Sequence, residues 1–279
     1  MAEVEVKRIK VSGALSRSGL YDLDYTYNPY AGCSHNCLYC YARFYTPFRE
    51  VSENWGRVIY VKSNALEALS RDVKRYKRGV VGVSTITDPY QPIEASEKLT
   101  RKGLEVFFRE GFRVSIQTKS PMVLRDLDLL SQNRRLVDAG LTVTTLDQSL
   151  ARLIEPQAPP PFERVRALKT LSENGVETWV FLGPIIRGVN DSELNIRQIT
   201  EVALETGSRL IYDYFRFKPG MEKQMSLLAA KYPGCISAPP SWRNLVRDKI
   251  EKICNELGVV CEPAFPGRKT TPIRLTDFY

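Results

Sequence analysis

Short runs of apolar and β-branched residues recur along this chain about every thirty residues, and helix-like segments separate most of them. The predicted strands are 25–30, 80–86, 113–118, 141–146, 178–183 and 209–217. The predicted helices between them are 64–77, 161–174 and 191–207. Strands that alternate with helices in this way form parallel sheets with right-handed crossovers. The pattern predicts an α/β fold, and its strand count fits either a partial barrel or a doubly wound sheet.

The alternation of strands and helices ends near Pro219, where glycine- and proline-rich loops replace it. After these loops, Ser241 is a suitable N-cap for a last helix, which ends before Gly258. We therefore predict an N-terminal segment over 1–24, an α/β core over 25–220 and a small C-terminal extension, packed on the core, over 221–279.

Composition excludes several classes of protein. Of 279 residues, 43% are hydrophobic, which is enough to form a core. Six cysteines and one histidine are too few for a disulfide-stapled mini-protein or a histidine-rich metal site. The N-terminus is charged and no run of about 18 apolar residues occurs, so we expect a cytoplasmic protein with reduced thiols and no membrane partner. The net charge of +8 permits an acidic partner, although the basic residues are dispersed.

The segment YNPYAGCSHNCLYCYARFY contains three closely spaced cysteines after the first predicted strand. Cys33, Cys37 and Cys40 have the spacing C-x3-C-x2-C. Thiolates are soft ligands for iron and zinc, and a short loop allows several of them to converge. A structural zinc site uses four protein ligands, and no fourth cysteine lies nearby. Three cysteines instead suit a [4Fe–4S] cluster in which one iron stays open to an external ligand.

Two other interpretations of these cysteines stay open from the residues alone. They could be incidental buried thiols, although their clustering in a loop with Gly32 and Asn36 argues against this. His35 could supply a fourth ligand to zinc, which would make the chain a non-catalytic zinc- or nucleic-acid-binding module. Its position inside the first spacer favours a partly exposed loop residue or a donor that contacts the site from outside the ligand set.

The cysteine motif, with Tyr39 directly before its last cysteine, resembles the signature of the radical S-adenosylmethionine superfamily. A narrower resemblance is to the branch related to spore photoproduct lyase, also described as DNA repair photolyase-like. It rests on the runs NPYAGCSHNCLYCYAR, STITDPYQPIE, VSIQTKSPMVLRDLDLL, TVTTLDQSLARLIEPQAPPP and GPIIRGVND. The resemblance implies a partial (β/α)6 TIM-like barrel, with the cluster at the C-terminal mouth of the strands.

The resemblance also implies roles for individual residues. The three cysteines would bind the [4Fe–4S] cluster, whose open iron would bind the amino and carboxylate groups of S-adenosylmethionine. Lys119 would pair with the methionyl carboxylate, and Thr145 would contact ribose or methionine. The implied cofactor-binding residues are Tyr39, Ser84, Thr85, Thr87, Asp88, Lys119, Thr145, Gly183, Ile185 and Gly188.

The chain departs from spore photoproduct lyase at the residue that supplies a hydrogen atom. That lyase uses a cysteine, whereas here Ser84 occupies the expected position and no cysteine lies between Cys40 and Cys235. This departure argues against spore photoproduct repair. Tyr90, as a radical relay near the mouth, and Cys235, as an exposed and reactive loop thiol, are the candidate catalytic residues. Cys254 and Cys261 are predicted to be structural thiols, and the alternative is an auxiliary cluster with Cys235.

The sequence thus predicts a radical S-adenosylmethionine enzyme that cleaves its cofactor reductively to a 5′-deoxyadenosyl radical. A nucleic acid or nucleotide is the first choice of substrate, because of the lyase resemblance and the positive charge, and a peptide or small metabolite is the second. The resemblance implies a low-potential flavodoxin or ferredoxin as electron donor. Aromatic and basic residues over 43–57 and 212–218 suit stacking on DNA or RNA bases, or alternatively covering the cluster.

Overall fold

The structure is a computed structural model that describes residues 4–266. Its strands are β1 (Glu5–Ile9), β2 (Leu15–Arg17), β3 (Tyr25–Tyr27), β4 (Tyr30–Ala31), β5 (Val58–Lys62), β6 (Val80–Val83), β7 (Arg113–Thr118), β8 (Val137–Thr142), β9 (Glu177–Ile185), β10 (Arg209–Tyr214) and β11 (Cys261–Pro263). Its α-helices are α1 (Arg49–Glu53), α2 (Ala65–Asp72), α3 (Glu94–Glu97), α4 (Leu99–Glu110), α5 (Leu127–Gln132), α6 (Gln148–Ile154), α7 (Pro161–Glu173), α8 (Glu193–Glu205), α9 (Glu222–Lys231) and α10 (Pro240–Leu257). Two 3₁₀ helices are Ala42–Phe44 and Pro121–Asp126.

The main sheet has eight strands in the order β11-β10-β9-β8-β7-β6-β3-β2. The six strands from β3 to β10 in this sheet pair in parallel and follow one another in chain order. The edge strand β11 also pairs in parallel, whereas β2 at the opposite edge is antiparallel to β3. Because the sheet keeps two edges, it is a partial barrel and not a closed one, which confirms the predicted fold class.

The two faces of this sheet differ in chemistry. One face carries apolar residues such as Ile116, Leu141 and Val180, which pack in a single core with helix residues such as Leu168 and Ile199. The alternate positions point to the opposite, concave face. These inner positions are Thr26, Gly82, Ser115, Gln117, Asp138, Thr142, Phe181 and Ile211, which the strand register aligns. Gln117 is exposed although its strand is central, so the inner face is open to solvent.

Several strands end earlier than the apolar pattern indicates. The predicted strand 141–146 is wrong, because β8 covers Val137–Thr142. The amide of Val143 still donates to the carbonyl of Phe181 in β9. Beyond it the chain leaves the ladder, and the carbonyl of Thr144 accepts hydrogen bonds from the side chains of Asn190 and Asn195. Strand β6 ends at Val83, since Ser84 has a left-handed backbone with φ of 61°.

The N-terminal segment contributes to both sheets. Strand β1 pairs in parallel with β5, and β4 completes this small second sheet. Between β1 and β2, the buried carboxylate of Asp72 at the end of α2 accepts hydrogen bonds from the backbone N–H groups of Ala14 and Leu15, at 2.7 and 3.0 Å. The predicted domain boundaries at 24 and 220 stay predictions.

At the other end of the chain, α10 packs against α8, and β11 pairs with the edge of β10. The expectation of reduced thiols is wrong at Cys254 and Cys261, which form a disulfide with Cα atoms 6.3 Å apart. Gly258 adopts φ of 70° and reverses the chain after the helix, which brings β11 back beside the last helical turn. No helix in residues 4–266 is long and apolar enough to cross a membrane.

Replacement of Asp72 by alanine tests its role as an anchor. Two buried backbone N–H groups would lose a charged acceptor, so we expect the free energy of unfolding to fall by about 2–4 kcal/mol. Urea denaturation of the purified protein measures this change. The matched control is Glu67→Ala, an exposed acidic residue of the same helix, for which we expect a change within about 0.5 kcal/mol. Equal losses in the two variants would contradict the assignment.

Candidate active site

The cysteine loop follows β4 and has a backbone that few residues tolerate. Gly32 has φ of 89°, and a Cβ atom there would lie 2.5 Å from the carbonyl oxygen of Val58. Asn36 has φ of 50°, a conformation that asparagine adopts more readily than most residues. The amide of Cys40 donates to the carbonyl of Cys37 at 3.1 Å, which fixes the turn between the last two cysteines.

The three cysteines of the loop are free thiols. Cys33 and Cys37 are each 8% exposed, and Cys40 is half-buried. Burial raises the pKa of all three thiols, and that of Cys37 rises to about 12 although the Lys119 ammonium opposes the shift. In this dry setting the thiolate form needs a positively charged centre beside it, which a bound metal supplies.

The donor set of the loop fits an iron–sulfur cluster better than a single metal ion. Among residues 4–266, no three His, Cys, Asp or Glu side chains are grouped so that they could hold one ion. In a [4Fe–4S] cluster each cysteine binds a different iron, so the thiols do not have to meet at one point. Two buried hydroxyls, those of Ser34 in the cysteine loop and of Ser84 directly after β6, have no hydrogen-bond partner in the described part of the chain. Unpaired buried hydroxyls are costly, and a bound ligand would satisfy them.

Gln91 anchors the start of the cysteine loop and was not identified from the sequence. Its side-chain oxygen accepts from the amide of Ser34 at 3.0 Å, and its nitrogen donates to the carbonyl of Gly32 at 3.1 Å. The same nitrogen contacts Thr87 Oγ1 at 2.9 Å, and the Thr87 hydroxyl also donates to Gly32. Thr87, predicted to bind cofactor, therefore holds the loop backbone in this structure.

Asp88 is the centre of a buried hydrogen-bond network behind the loop. Its carboxylate accepts from the Thr118 hydroxyl at 2.6 Å and from the backbone amides of Lys119 and Tyr90, both at 2.9 Å. His35 Nδ1 lies 3.3 Å from the same carboxylate. Burial alone would raise the pKa of Asp88, but His35 and these donors hold it well below its usual range. His35 is 2% exposed, so the expectation of a partly exposed histidine is wrong, and its contact with Asp88 does not support the zinc interpretation.

Tyr39 connects the cysteine loop to a buried ion pair. Its hydroxyl donates to the carboxylate of Glu155, which also accepts from the Thr144 hydroxyl at 3.2 Å. Arg164 Nη1 lies 2.6 Å from Glu155 Oε2, and both side chains are at most 1% exposed. Arg164 also donates to the carbonyls of Thr142 and Pro159. This network joins the loop to the end of β8 and to α7.

Lys119 lies directly after β7 and faces the cysteine loop. Its ammonium is 5.5 Å from the centroid of the Tyr39 ring. Burial alone would lower the pKa of Lys119, but the nearby Cys37 and Glu155 raise it above its usual value. The Lys119 ammonium therefore lies near the cysteine loop, as its predicted pairing with the methionyl carboxylate requires.

The remaining predicted cofactor residues lie at the C-terminal ends of the strands. Thr145 is buried and its hydroxyl accepts from the amide of Asp147 at 3.1 Å. Thr85 follows β6, and its carbonyl accepts from the Tyr41 hydroxyl at 3.0 Å. Gly183 and Ile185 are buried in β9, whereas Gly188 lies in the exposed turn beyond it. Asn190 joins these two strand ends, because it donates to the carbonyls of Thr144 and Pro184.

The two candidate catalytic residues are more enclosed than predicted. Tyr90 is fully buried, and its hydroxyl donates to Asp126 Oδ2 at 3.1 Å. It borders a cleft of about 480 Å³ whose walls also include His35 and Arg166. The prediction that Cys235 is exposed is wrong: it is 1% exposed, and it packs in the same apolar cluster as Cys37 and Tyr39. Cys235 packs in a different apolar cluster from Cys254 and Cys261. These two cysteines form a disulfide, so neither thiol is free to bind an auxiliary cluster.

Comparison with known proteins identifies the family. The sequence profile of the Radical SAM superfamily matches residues 27–198, which is more than half of the chain and includes all three loop cysteines. The chain belongs to the radical SAM superfamily. A radical SAM core thus accounts for the parallel sheet, and the resemblance stated from the sequence is confirmed.

Sequence relatives of this radical SAM protein occur in archaea and in a virus. An uncharacterized protein of Methanocaldococcus jannaschii is 34% identical over 192 residues, which cover 69% of this chain and 72% of that protein. An uncharacterized protein of Acidianus two-tailed virus is 35% identical over 162 residues, covering 55% of this chain and 53% of that protein.

Solved structures share the fold at low sequence identity. A spore photoproduct lyase variant with bound AdoMet and dinucleoside spore photoproduct has a TM-score of 0.68 and 12% identity, covering 93% of this chain and 81% of that chain. A radical SAM methyltransferase from Sphaerobacter thermophilus has a TM-score of 0.56 and 14% identity, and the match covers 86% of this chain and 65% of that chain. These matches support the partial barrel.

The Glu155–Arg164 pair predicts a strong thermodynamic coupling. Glu155→Gln or Arg164→Met alone leaves one charge buried without its partner, so each variant should lose about 3–5 kcal/mol of unfolding free energy. The double variant should lose less than the sum, and urea denaturation of the metal-free, reduced protein measures the cycle. The exposed pair Arg49–Glu53 is the control and should show coupling below about 0.5 kcal/mol.

The coupling free energy between Glu155 and Arg164 should decrease as the pH falls. Burial alone would raise the pKa of Glu155, but Arg164, Lys119 and Tyr39 lower it in the folded protein. A lowered folded-state pKa stabilises the fold above the unfolded-state pKa of about 4.3, and this contribution disappears as the pH falls further. Coupling that grew on acidification would contradict the assignment.

Proposed function

We propose that this radical SAM protein is an enzyme that cleaves S-adenosylmethionine reductively at a [4Fe–4S] cluster and directs the 5′-deoxyadenosyl radical to a substrate. The observation that carries the proposal is the buried C-x3-C-x2-C loop with free thiols at the C-terminal mouth of a parallel sheet, in a chain of this superfamily. Barrel enzymes place their chemistry at this end of the strands.

The protein residues would hold, orient and enclose the reacting groups. Cys33, Cys37 and Cys40 would hold the cluster, which when reduced supplies the electron that breaks the sulfonium bond. Lys119 would pair with the methionyl carboxylate, since it is a cation held beside the loop. The unpaired hydroxyl of Ser84 would accept from the methionyl amino group. Tyr39, fixed by Glu155, would present its backbone to the adenine.

Substrate and electron donor are the finer parts of this proposal. A nucleic acid or nucleotide is the favoured substrate, since the spore photoproduct lyase variant of the same fold binds a dinucleoside and this chain has a net charge of +8. A peptide or small metabolite is the alternative. A low-potential flavodoxin or ferredoxin would supply the electron, as the superfamily requires.

Formation of 5′-deoxyadenosine tests the proposal directly. Anaerobic reconstitution with iron and sulfide, reduction with dithionite and addition of S-adenosylmethionine should give this product, detected by chromatography. Cys37→Ala should reduce it at least about 100-fold, because two cysteines hold the cluster poorly. Cys235→Ala retains the loop ligands and is the matched cysteine control for cluster content. A colourless protein with about one zinc per chain and no product would favour the binding-module interpretation.

Lys119→Met tests the contact with the methionyl carboxylate. Loss of a charge-assisted bond should raise the KM for S-adenosylmethionine about tenfold or more, with a smaller effect on kcat. Lys119→Arg should recover part of the affinity because it keeps the cation. Lys98→Met, at an exposed position after α3, is the control. A change in kcat alone would point away from cofactor binding.

A further inference from the structure

We propose that the rim of the barrel beside the cysteine loop binds single-stranded nucleic acid, an inference that rests on the proposed function and names where its substrate docks. The surface consists of Tyr41, Arg43, Phe44, Tyr45 and Lys218, and is called the rim patch below. Four of these residues follow Cys40 within five positions, and Lys218 comes from the loop after β10. Because Lys218 contacts Tyr45, the rim patch joins the segment that follows Cys40 to the loop after β10.

The aromatic side chains of the rim patch are exposed to solvent and adjacent to one another. The exposed fractions are 49% for Tyr41, 36% for Phe44 and 56% for Tyr45. The rings of Tyr41 and Tyr45 meet edge to face, with centroids 5.8 Å apart. Contiguous exposed apolar patches mark interaction sites, whereas single exposed apolar residues are common on any protein surface. Every nucleobase has a π face, so such rings can stack on bases of any sequence.

Two cations accompany these rings. Lys218 Nζ lies 4.3 Å from the centroid of Tyr45 and 2.6 Å from its hydroxyl. The guanidinium of Arg43 lies 5.5 Å from the centroid of Phe44 and contacts Gln224 and the carbonyl of Ser52. In the part of the chain that the structure describes, neither cation forms an ion pair with a carboxylate. The Lys218 ammonium is therefore available to a phosphate that flanks a stacked base, whereas the half-buried Arg43 guanidinium is already bonded to Gln224 and Ser52.

The depth of the cysteines favours single strands over duplexes, because an unpaired base reaches them without the energy cost of unpairing and flipping. Cys33 and Cys37 are only 8% exposed, so a base that remains stacked and paired inside a duplex could not approach them. Below the rim, the inner face of the sheet offers polar and aromatic groups to an unstacked base. Gln117 is exposed and uses one amide hydrogen to bond Thr142 Oγ1 at 3.2 Å, which leaves its carbonyl oxygen free, and Phe181 is half-buried.

Fluorescence anisotropy with the reconstituted protein tests this interface. The probe is a labelled oligothymidylate of about 12 nucleotides, within the usual site size for such proteins. Tyr45→Leu should weaken binding about tenfold, because it removes a stacking ring and keeps apolar bulk. Lys218→Gln should reduce the slope of log Kd against the logarithm of the salt concentration by about 0.7, because one phosphate contact is lost. Lys218→Arg should restore that slope.

The controls make the same kinds of substitution at exposed residues outside the rim patch. Tyr21→Leu removes a 69% exposed ring, and Lys74→Gln removes an exposed cation, so both should leave the affinity and the slope unchanged. Equal effects of rim and control variants would overturn the proposal. A duplex of the same length that binds as tightly as the single strand would also overturn it. Equally tight binding of an oligoglutamate of equal charge would do the same, because a polypeptide without rings cannot stack on the aromatic residues.

The outcomes separate this inference from the proposed function. A protein that forms 5′-deoxyadenosine but binds no oligonucleotide at low salt overturns the rim patch and leaves the cleavage chemistry intact. A protein that binds the oligonucleotide through the rim patch but forms no 5′-deoxyadenosine contradicts the proposed chemistry and supports the interface alone.

Discussion

The buried carboxylate of Glu155 is the interaction on which the arrangement of the site depends. A charge without solvent is costly unless donors surround it, and here Arg164, Tyr39 and Thr144 all contact it. These donors come from α7, the cysteine loop and the end of β8. One carboxylate therefore holds together three segments that the sheet alone would not fix, and it anchors the Tyr39 side chain between Cys37 and Cys40.

Around this ion pair the protein prepares a dry site in which protonation and metal binding are linked. Burial raises the pKa of the three cysteine thiols, so the metal-free loop carries protonated sulfur at neutral pH. If the loop binds the proposed cluster, the metal would displace these protons, and higher pH would favour its binding. Lys119 adds positive charge beside the loop, which favours both the thiolates and an anionic group of a bound ligand.

Local patterns in the sequence predicted the fold and the cysteine loop, whereas partnerships between distant segments could not be predicted. Apolar periodicity identifies all six parallel strands because it depends only on neighbouring residues. It misplaces the bounds of β8, because the apolar and β-branched pattern continues through the VTTL run after the strand has ended at Thr142. Tyr39 and Glu155 are 116 positions apart, and nothing local marks their contact. The Cys254–Cys261 disulfide likewise depends on the chain reversal at Gly258, and the burial of Cys235 depends on α9 packing over it.

The chemistry of the inner face explains why the barrel is left open. Its Ser115, Gln117 and Thr142 are polar, in contrast to the apolar outer face under the helices. A closed barrel of eight strands has a narrow interior, which is filled by side chains or holds at most one small ligand. An open sheet with β2 and β11 at its edges keeps that face accessible while the cysteine loop covers its upper end. The inner face is therefore reached along the open edges of the sheet, which a closed barrel would not have.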